Sequence, residues 1–261
     1  MNGLSTINIE LTSRCNKTCW MCGRRKMERE HPELCDWGDM ELELLFLIAD
    51  QVPPNIVVQL HWNGEPLLFP YLKEALELFD NNIRCLDTNA KLLDERAYEI
   101  KGNLETLTVS VIEKDPEAED QFEKVCKFLE KKGDEKPFMV YRLLGDVERP
   151  ERWEKLPGVV ARRILHAPEG SFNYTKKVTV PEIGVCLDLL HHLAIDRHGN
   201  VSPCVRYDPH GVGRIGHLYS ESLKSLWYGD TRKQMIEDHI AQQRHKWALC
   251  ATCHYWGTPT S

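Results

Sequence analysis

STINIELTSRCNKTCWMC, residues 5–22, decides the reading of this chain. Ile7, Ile9 and Leu11 alternate with polar residues, the pattern of a strand with one apolar face. That strand runs straight into CNKTCWMC (15–22), three cysteines within eight positions. Two thiols clip half of a zinc site, and four close a zinc site or a cubane cluster. Three leave one coordination position open.

Working outward, strands and helices alternate. MELELLFLIADQV (40–52) reads as a helix with Asp39 as its N-cap, and IVVQLHW (56–62) as a buried parallel strand. A helix over 70–79 beginning at Pro70, a strand over 83–89, a helix over 92–100 and a strand over 105–112 follow. An amphipathic helix spans 115–132 and is closed by Gly133. A strand over 137–144, a short helix near 150–156 and a strand over 159–167 complete six alternations. Such alternation predicts an α/β fold with a parallel sheet, whose sites lie at the carboxyl ends of the strands. CNKTCWMC sits at the end of the first strand. The pattern changes after about residue 170. HLAIDRHGNVSPC (192–204) reads as a hairpin turning at His198, Gly199 and Asn200, followed by helical segments over 220–228 and 230–245. The expected division is residues 1–170 and a smaller module, 171–261.

The net charge of −7 argues against a broad hold on nucleic acid. The N-terminal residues show no basic region followed by a long apolar run. No signal peptide or membrane span is expected, and the cytoplasm is the expected compartment. Ten cysteines in such a chain, clustered at 15, 19, 22 and at 186, 204, 250, 253, point to metal rather than disulfides. Cys35, Cys85 and Cys126 read as buried spectators.

C-x3-C-x2-C on the loop after the first strand resembles the radical S-adenosylmethionine (SAM) enzymes. The resemblance implies a partial (β/α)6 TIM-like barrel in which Cys15, Cys19 and Cys22 hold a [4Fe–4S] cluster. The open iron would chelate the amino and carboxylate groups of SAM, and one electron would release a 5′-deoxyadenosyl radical. Met21 stands where the family usually has an aromatic near the adenine. HWNGEPLL (61–68) is similar to the family's Gly-Gly-Glu motif, with Asn63 in place of the first glycine and Gly64 and Glu65 intact. Asp87, Thr88 and Asn89, in a stretch similar to the family's TNG, and Ser110 on the next strand are further candidate SAM contacts. A zinc site completed by His31 or Cys35 uses the same thiols.

Cys186, Gly199, Cys204, Cys250 and Cys253 form a second constellation, C-x12-G-x4-C and then C-x2-C. It resembles the front of the SPASM domain, in the shorter form called a twitch domain. The resemblance implies one auxiliary [4Fe–4S] cluster held by four cysteines, beside which a zinc ribbon is the alternative. The two sites together imply hydrogen abstraction from a substrate and oxidation of its radical through the auxiliary cluster. That is dehydrogenase chemistry on a small molecule. Peptide modification and a non-catalytic zinc protein are the alternatives. Tyr141, Arg142 and His166 at strand ends are the candidate base or polar anchors. A flavodoxin or ferredoxin is the electron donor that the family implies.

Overall fold

The structure is a computed structural model that describes residues 1–163, 165, 185–206, 208–251 and 253. Six strands, β1 (Thr6–Ile9), β2 (Val57–Gln59), β3 (Ile83–Thr88), β4 (Thr106–Ile112), β5 (Phe138–Leu144) and β6 (Val159–Arg163), pair in parallel with their sequence neighbours. β7 (His192–Ile195) adds to the free side of β1, also in parallel. β8 (Asn200–Ser202) and β9 (Gly216–His217) continue antiparallel from it. The result is one nine-stranded sheet ordered β6-β5-β4-β3-β2-β1-β7-β8-β9. Its parallel part is the expected α/β architecture of a partial barrel.

Period-two alternation separates the two faces of this sheet. Ile7, Ile9, Val58, Leu86, Leu107, Val109, Met139, Tyr141 and Leu143 point outward into a single buried core. Against them pack Leu44, Leu45 and Ile48 of α2 (Leu42–Ala49), Leu72, Ala75 and Leu76 of α3 (Leu72–Leu78), and Ala97 and Ile100 of α4 (Ala97–Ile100). Val125 and Phe128 of α5 (Ala118–Lys132) and Trp153 of α6 (Glu151–Glu154) complete the layer. The opposite face carries Asn8, Gln59, Asp87, Thr108 and Arg142. A closed barrel would fill this interior with apolar side chains. Here the face is polar, and Asn8, Gln59, Asp87 and Arg142 line a cavity.

α5 shows why a helix forms where it does. Glu119 and Asp120 lie in its first turn and Lys131 and Lys132 in its last, which complements the macrodipole. Gly133 closes it with φ of 56°, a conformation that glycine adopts without a Cβ penalty. The hairpin between β7 and β8 turns as expected at Gly199, φ 92°.

One expectation is corrected, and one element is new. α2 begins at Leu42 with Glu41 at its cap, because Asp39 is engaged elsewhere: both its carboxylate oxygens receive the Arg14 guanidinium, at 3.0 and 2.5 Å. An unforeseen helix, α1 (Gly23–Glu30), starts directly after Cys22. The last parallel strand is described only to Arg163, so the expected strand to residue 167 and the division at residue 170 lie outside the described residues.

Candidate active site

The thiol loop is held from four directions. Arg24, 8% exposed, stacks on the Trp37 ring at 3.9 Å and donates to the Ser13 carbonyl and, at 3.5 Å, to that of Asn63. Lys17 and Asp115 form an ion pair with both side chains buried, tying the loop to the turn before α5. The Trp20 indole N–H donates to the Glu113 carbonyl, 3.1 Å. The Asn89 amide reaches the Asn16 Oδ1 at 2.9 Å and the Cys15 sulfur at 3.8 Å. Cys22 caps α1, and Met21 beside it is half-buried. Burial pushes the Cys19 thiol up to about 12 and raises Cys22 also.

The segment Asn63-Gly64-Glu65 docks on the backbone that leads into this loop. A Cβ on Gly64 would fall 2.0 Å from the Thr12 carbonyl oxygen and 2.7 Å from that of Arg14. Only glycine permits so close an approach. The Glu65 backbone N–H donates to the Arg14 carbonyl at 2.8 Å. Its carboxylate turns inward, 2% exposed. It accepts the Thr88 hydroxyl and the Asn89 backbone N–H, each at 2.7 Å, and the Leu67 N–H at 3.1 Å. Burial outweighs these bonds and raises its pKa to about 7. The Glu65 side chain thereby fastens the end of β3 to the segment that docks on the thiol loop.

Asp87 and Arg142, from β3 and β5, meet in an ion pair on the polar face. His61 joins them. Its Nδ1 accepts the Asp87 backbone N–H at 3.1 Å, which leaves the ring proton on Nε2, 3.5 Å from the Asp87 carboxylate. Burial alone would raise the Asp87 carboxyl, but His61 and Arg142 together bring it below its ordinary value. Burial lowers the His61 pKa, against the pull of the Asp87 carboxylate. His192 of β7 donates from Nε2 to the Asn8 Oδ1 at 2.7 Å, and Asn8 in turn donates to the His61 carbonyl at 2.9 Å. Burial lowers His192 to about 4.

These groups line a cavity of about 400 Å³ with Gln59, Trp62, Asn63, Asp188, His191 and Val205. Of the expected site residues, Asn63, Asp87 and Arg142 meet here. Ser110 lies beside Arg142 in the strand register, and its carbonyl receives the Gln121 amide. Tyr141 does not join them. It is fully buried on the helix-facing side of β5, its hydroxyl donating to the Pro157 carbonyl at 2.9 Å. Neighbours on a strand face opposite ways, so Tyr141 and Arg142 cannot share a site. His166 lies outside the described residues. Asn8, Gln59, His61 and His192 were not foreseen. The signal was present: Gln59 and His61 alternate with Val58 and Leu60, which marks the polar side of β2.

The second group of thiols gathers on the cavity's far side. Cys186 caps α7 (Leu187–His191), Cys204 follows β8, Cys250 lies in α10 (Ala248–Ala251), and Cys253 follows it. Arg244 donates to the carbonyls of both Cys250 and Cys253. Burial pushes Cys250 up to about 12, with Cys186 and Cys253 adding to the rise, and Cys186 likewise raises Cys204. The four are thus within electrostatic reach. Among the described residues no group of three His, Cys, Asp or Glu side chains stands arranged to hold a single metal ion. Trp62 bridges the two regions: it precedes Asn63, and its indole donates to the Val205 carbonyl, next to Cys204, at 2.9 Å.

Residues 186–254 match the SPASM family, described as an iron–sulfur cluster-binding domain. A SAM-dependent 2-deoxy-scyllo-inosamine dehydrogenase of Niallia circulans is 24% identical over 96% of this chain and 92% of its own length. In structure the chain is similar to BtrN in complex with AdoMet and 2-DOIA, with a TM-score of 0.67 at 18% identity over 98% of this chain and 95% of that one. It is also similar to Streptococcus suis SuiB bound to the precursor peptide SuiA, with a TM-score of 0.64 at 12% identity over 90% of this chain and 67% of that one. Residues 186–254 are thus similar to the SPASM iron–sulfur cluster-binding domains, and the chain as a whole has the fold of BtrN and SuiB.

Proposed function

We propose that this chain is a radical SAM oxidoreductase that dehydrogenates a small hydroxyl-bearing molecule. The observation that carries it is the position of the cavity between the two thiol sites. Asn63, docked on the first site, lines one wall, and Leu187, Asp188 and Val205, adjoining Cys186 and Cys204, line the other. Cys15, Cys19 and Cys22 would hold one [4Fe–4S] cluster, and Cys186, Cys204, Cys250 and Cys253 another. When bound, these groups and SAM would supply one-electron chemistry: hydrogen abstraction on one side of a substrate and electron uptake on the other.

The protein's own part is recognition and proton handling. Arg142 offers a guanidinium to a substrate oxygen and stabilises it as its proton leaves. Asp87, kept ionised by Arg142 and His61, accepts a hydroxyl hydrogen bond. His61, with its tautomer fixed, holds Asp87 in place. Trp62 offers a flat apolar face for carbon-bound hydrogens. The name of the Niallia circulans relative supports an alcohol on a small ring as the substrate class. We place the division between barrel and cluster module near residue 170, take a flavodoxin or ferredoxin as electron donor, and take the cytoplasm as compartment. Among the described residues no helix is long and apolar enough to cross a membrane.

The test is metal analysis of anaerobically reconstituted protein, with SAM cleavage followed after dithionite reduction. About eight iron and eight sulfide per chain, with 5′-deoxyadenosine formed, is the expected result. Zinc without iron, and no cleavage, would overturn the reading. Consumption of a precursor peptide rather than a polyol would move the substrate class toward that of SuiB.

A further inference from the structure

The Asn89 side chain is fixed at every polar atom. Its backbone N–H donates to the Glu65 carboxylate at 2.7 Å, and its backbone carbonyl accepts the Gln121 amide at 2.9 Å. Its Oδ1 accepts the Lys91 backbone N–H at 2.9 Å. That bond assigns the amide: the oxygen faces Lys91, so the NH2 group faces the thiol loop. There it meets the Asn16 Oδ1 at 2.9 Å and the Cys15 sulfur at 3.8 Å. Asn89 is only 8% exposed, so little water competes for this contact. Its anchor, Glu65, is itself 2% exposed and held by Thr88 and Leu67.

A neutral amide aimed at a sulfur from a buried, over-determined position is a preset dipole. A donor to a cysteine sulfur stabilises the more negative, reduced state of a cluster that the sulfur ligates, because reduction adds electron density to the thiolates. Hydrogen bonds to the sulfurs are one of the levers that set such potentials. We propose that Asn89 is a positioning residue that raises the reduction potential of the group held by Cys15, Cys19 and Cys22, through an N–H···S bond to Cys15. This rests on the iron–sulfur reading of that loop. It gives Asn89 a role toward the cluster, distinct from the SAM contact that the sequence suggested. It also links two motifs: Glu65 sets Asn89, and Asn89 sets the electronic state of Cys15.

The experiment is a reductive titration of the reconstituted full chain, followed by electron paramagnetic resonance, for the native protein and for Asn89→Ala, Asn89→Asp and Asn16→Ala. The C-terminal cluster in the same sample is the internal reference. Asn89→Ala is expected to lower the potential of the first cluster: about tenfold less reduced form at a fixed applied potential, equivalent to about 59 mV for one electron. Asn89→Asp keeps the acceptor for the Lys91 N–H but replaces the donor with a charged oxygen, and lowers the potential further. Asn16→Ala removes the amide's other partner without removing the donor, and leaves the potential at the native value. A merely structural loosening of the loop would move Asn16→Ala as well.

Unchanged potentials in both Asn89 variants, with native iron content, would overturn the proposal. So would loss of the first cluster from both while Asn16→Ala loads normally, since Asn89 would then serve assembly. A native chain that takes up no iron at Cys15, Cys19 and Cys22 would overturn the functional reading and this inference together. A native cluster whose potential ignores Asn89 overturns this inference alone.

Discussion

Gly64 and His192 show how single side chains are constrained by what surrounds them. The space where a Gly64 Cβ would go is occupied by the carbonyls of Thr12 and Arg14, and backbone atoms there cannot swing away as a side chain would. Gly64→Ala is expected to cost about 3 kcal/mol and to loosen the thiol loop. A lowered melting temperature together with reduced iron uptake would confirm it; native values of both would show that the segment can shift. His192 gives a pH dependence. Its folded pKa, about 4, lies below the ordinary value of 6.5, so the unfolded chain binds the proton more readily. The stability that this neutral histidine contributes is complete above about pH 6.5 and is lost as pH falls toward about 4, by up to about 3 kcal/mol. His192→Asn should flatten that part of the stability curve in denaturant titrations at pH 5 and 7. Glu65 was visible in the sequence as a motif residue but not in its orientation. Direction depends on which partners burial leaves available, and Thr88 and Asn89 lie on another strand. The side of the sheet that Tyr141 occupies, by contrast, was legible in the sequence, since strand parity already separates it from Arg142.

Among the elements, the strands were the most legible. Alternation along 5–12, 105–112 and 137–144 placed β1, β4 and β5, and the β7–β8 hairpin turned where Gly199 indicated. α1 was missed because GRRKMERE has no apolar stripe; it is held by Arg24 against Trp37 and by ion pairs such as Arg25–Glu28 at 2.7 Å. β9 was missed because two residues carry no period. The turn before α5 holds the Lys17–Asp115 pair, whose side chains are 4% and 3% exposed. Asp115→Asn would leave the Lys17 ammonium buried with only Glu117, 3.9 Å away, as an anionic partner. The expected loss is about 3 kcal/mol, toward the low end for a broken buried pair because Glu117 remains. Chemical denaturation of the variant measures it, and a loss below about 1 kcal/mol would mean that Glu117 suffices.

At the scale of the whole molecule, the cluster module is part of the sheet rather than an attachment to it. β7 pairs with β1 over Thr6–Ile9, and buried Glu10, just beyond β1, accepts the backbone N–H groups of both Asn63 and Arg197, each at 3.3 Å. The sequence showed a change of pattern near residue 170 but not this junction, because pairing between strands some 185 positions apart leaves no local trace. A chain cut before Cys186 would expose the full length of β1 as an open edge. It is expected to be insoluble or aggregated by light scattering, whereas a soluble, monomeric fragment would show that the barrel closes on itself.

The central place of β1 also orders the events of biosynthesis. This strand leaves the ribosome well before its second neighbour, β7, which follows it some 185 residues later. Until then β1 has one satisfied flank and one row of unpaired amides and carbonyls, shielded only by whatever holds the nascent chain. Pairings of such long sequence separation form slowly and leave intermediates open to misassembly. The strand that starts the fold is therefore among the last to be completed. The longer the interval between those two moments, the longer the newborn chain carries an open edge that needs protection.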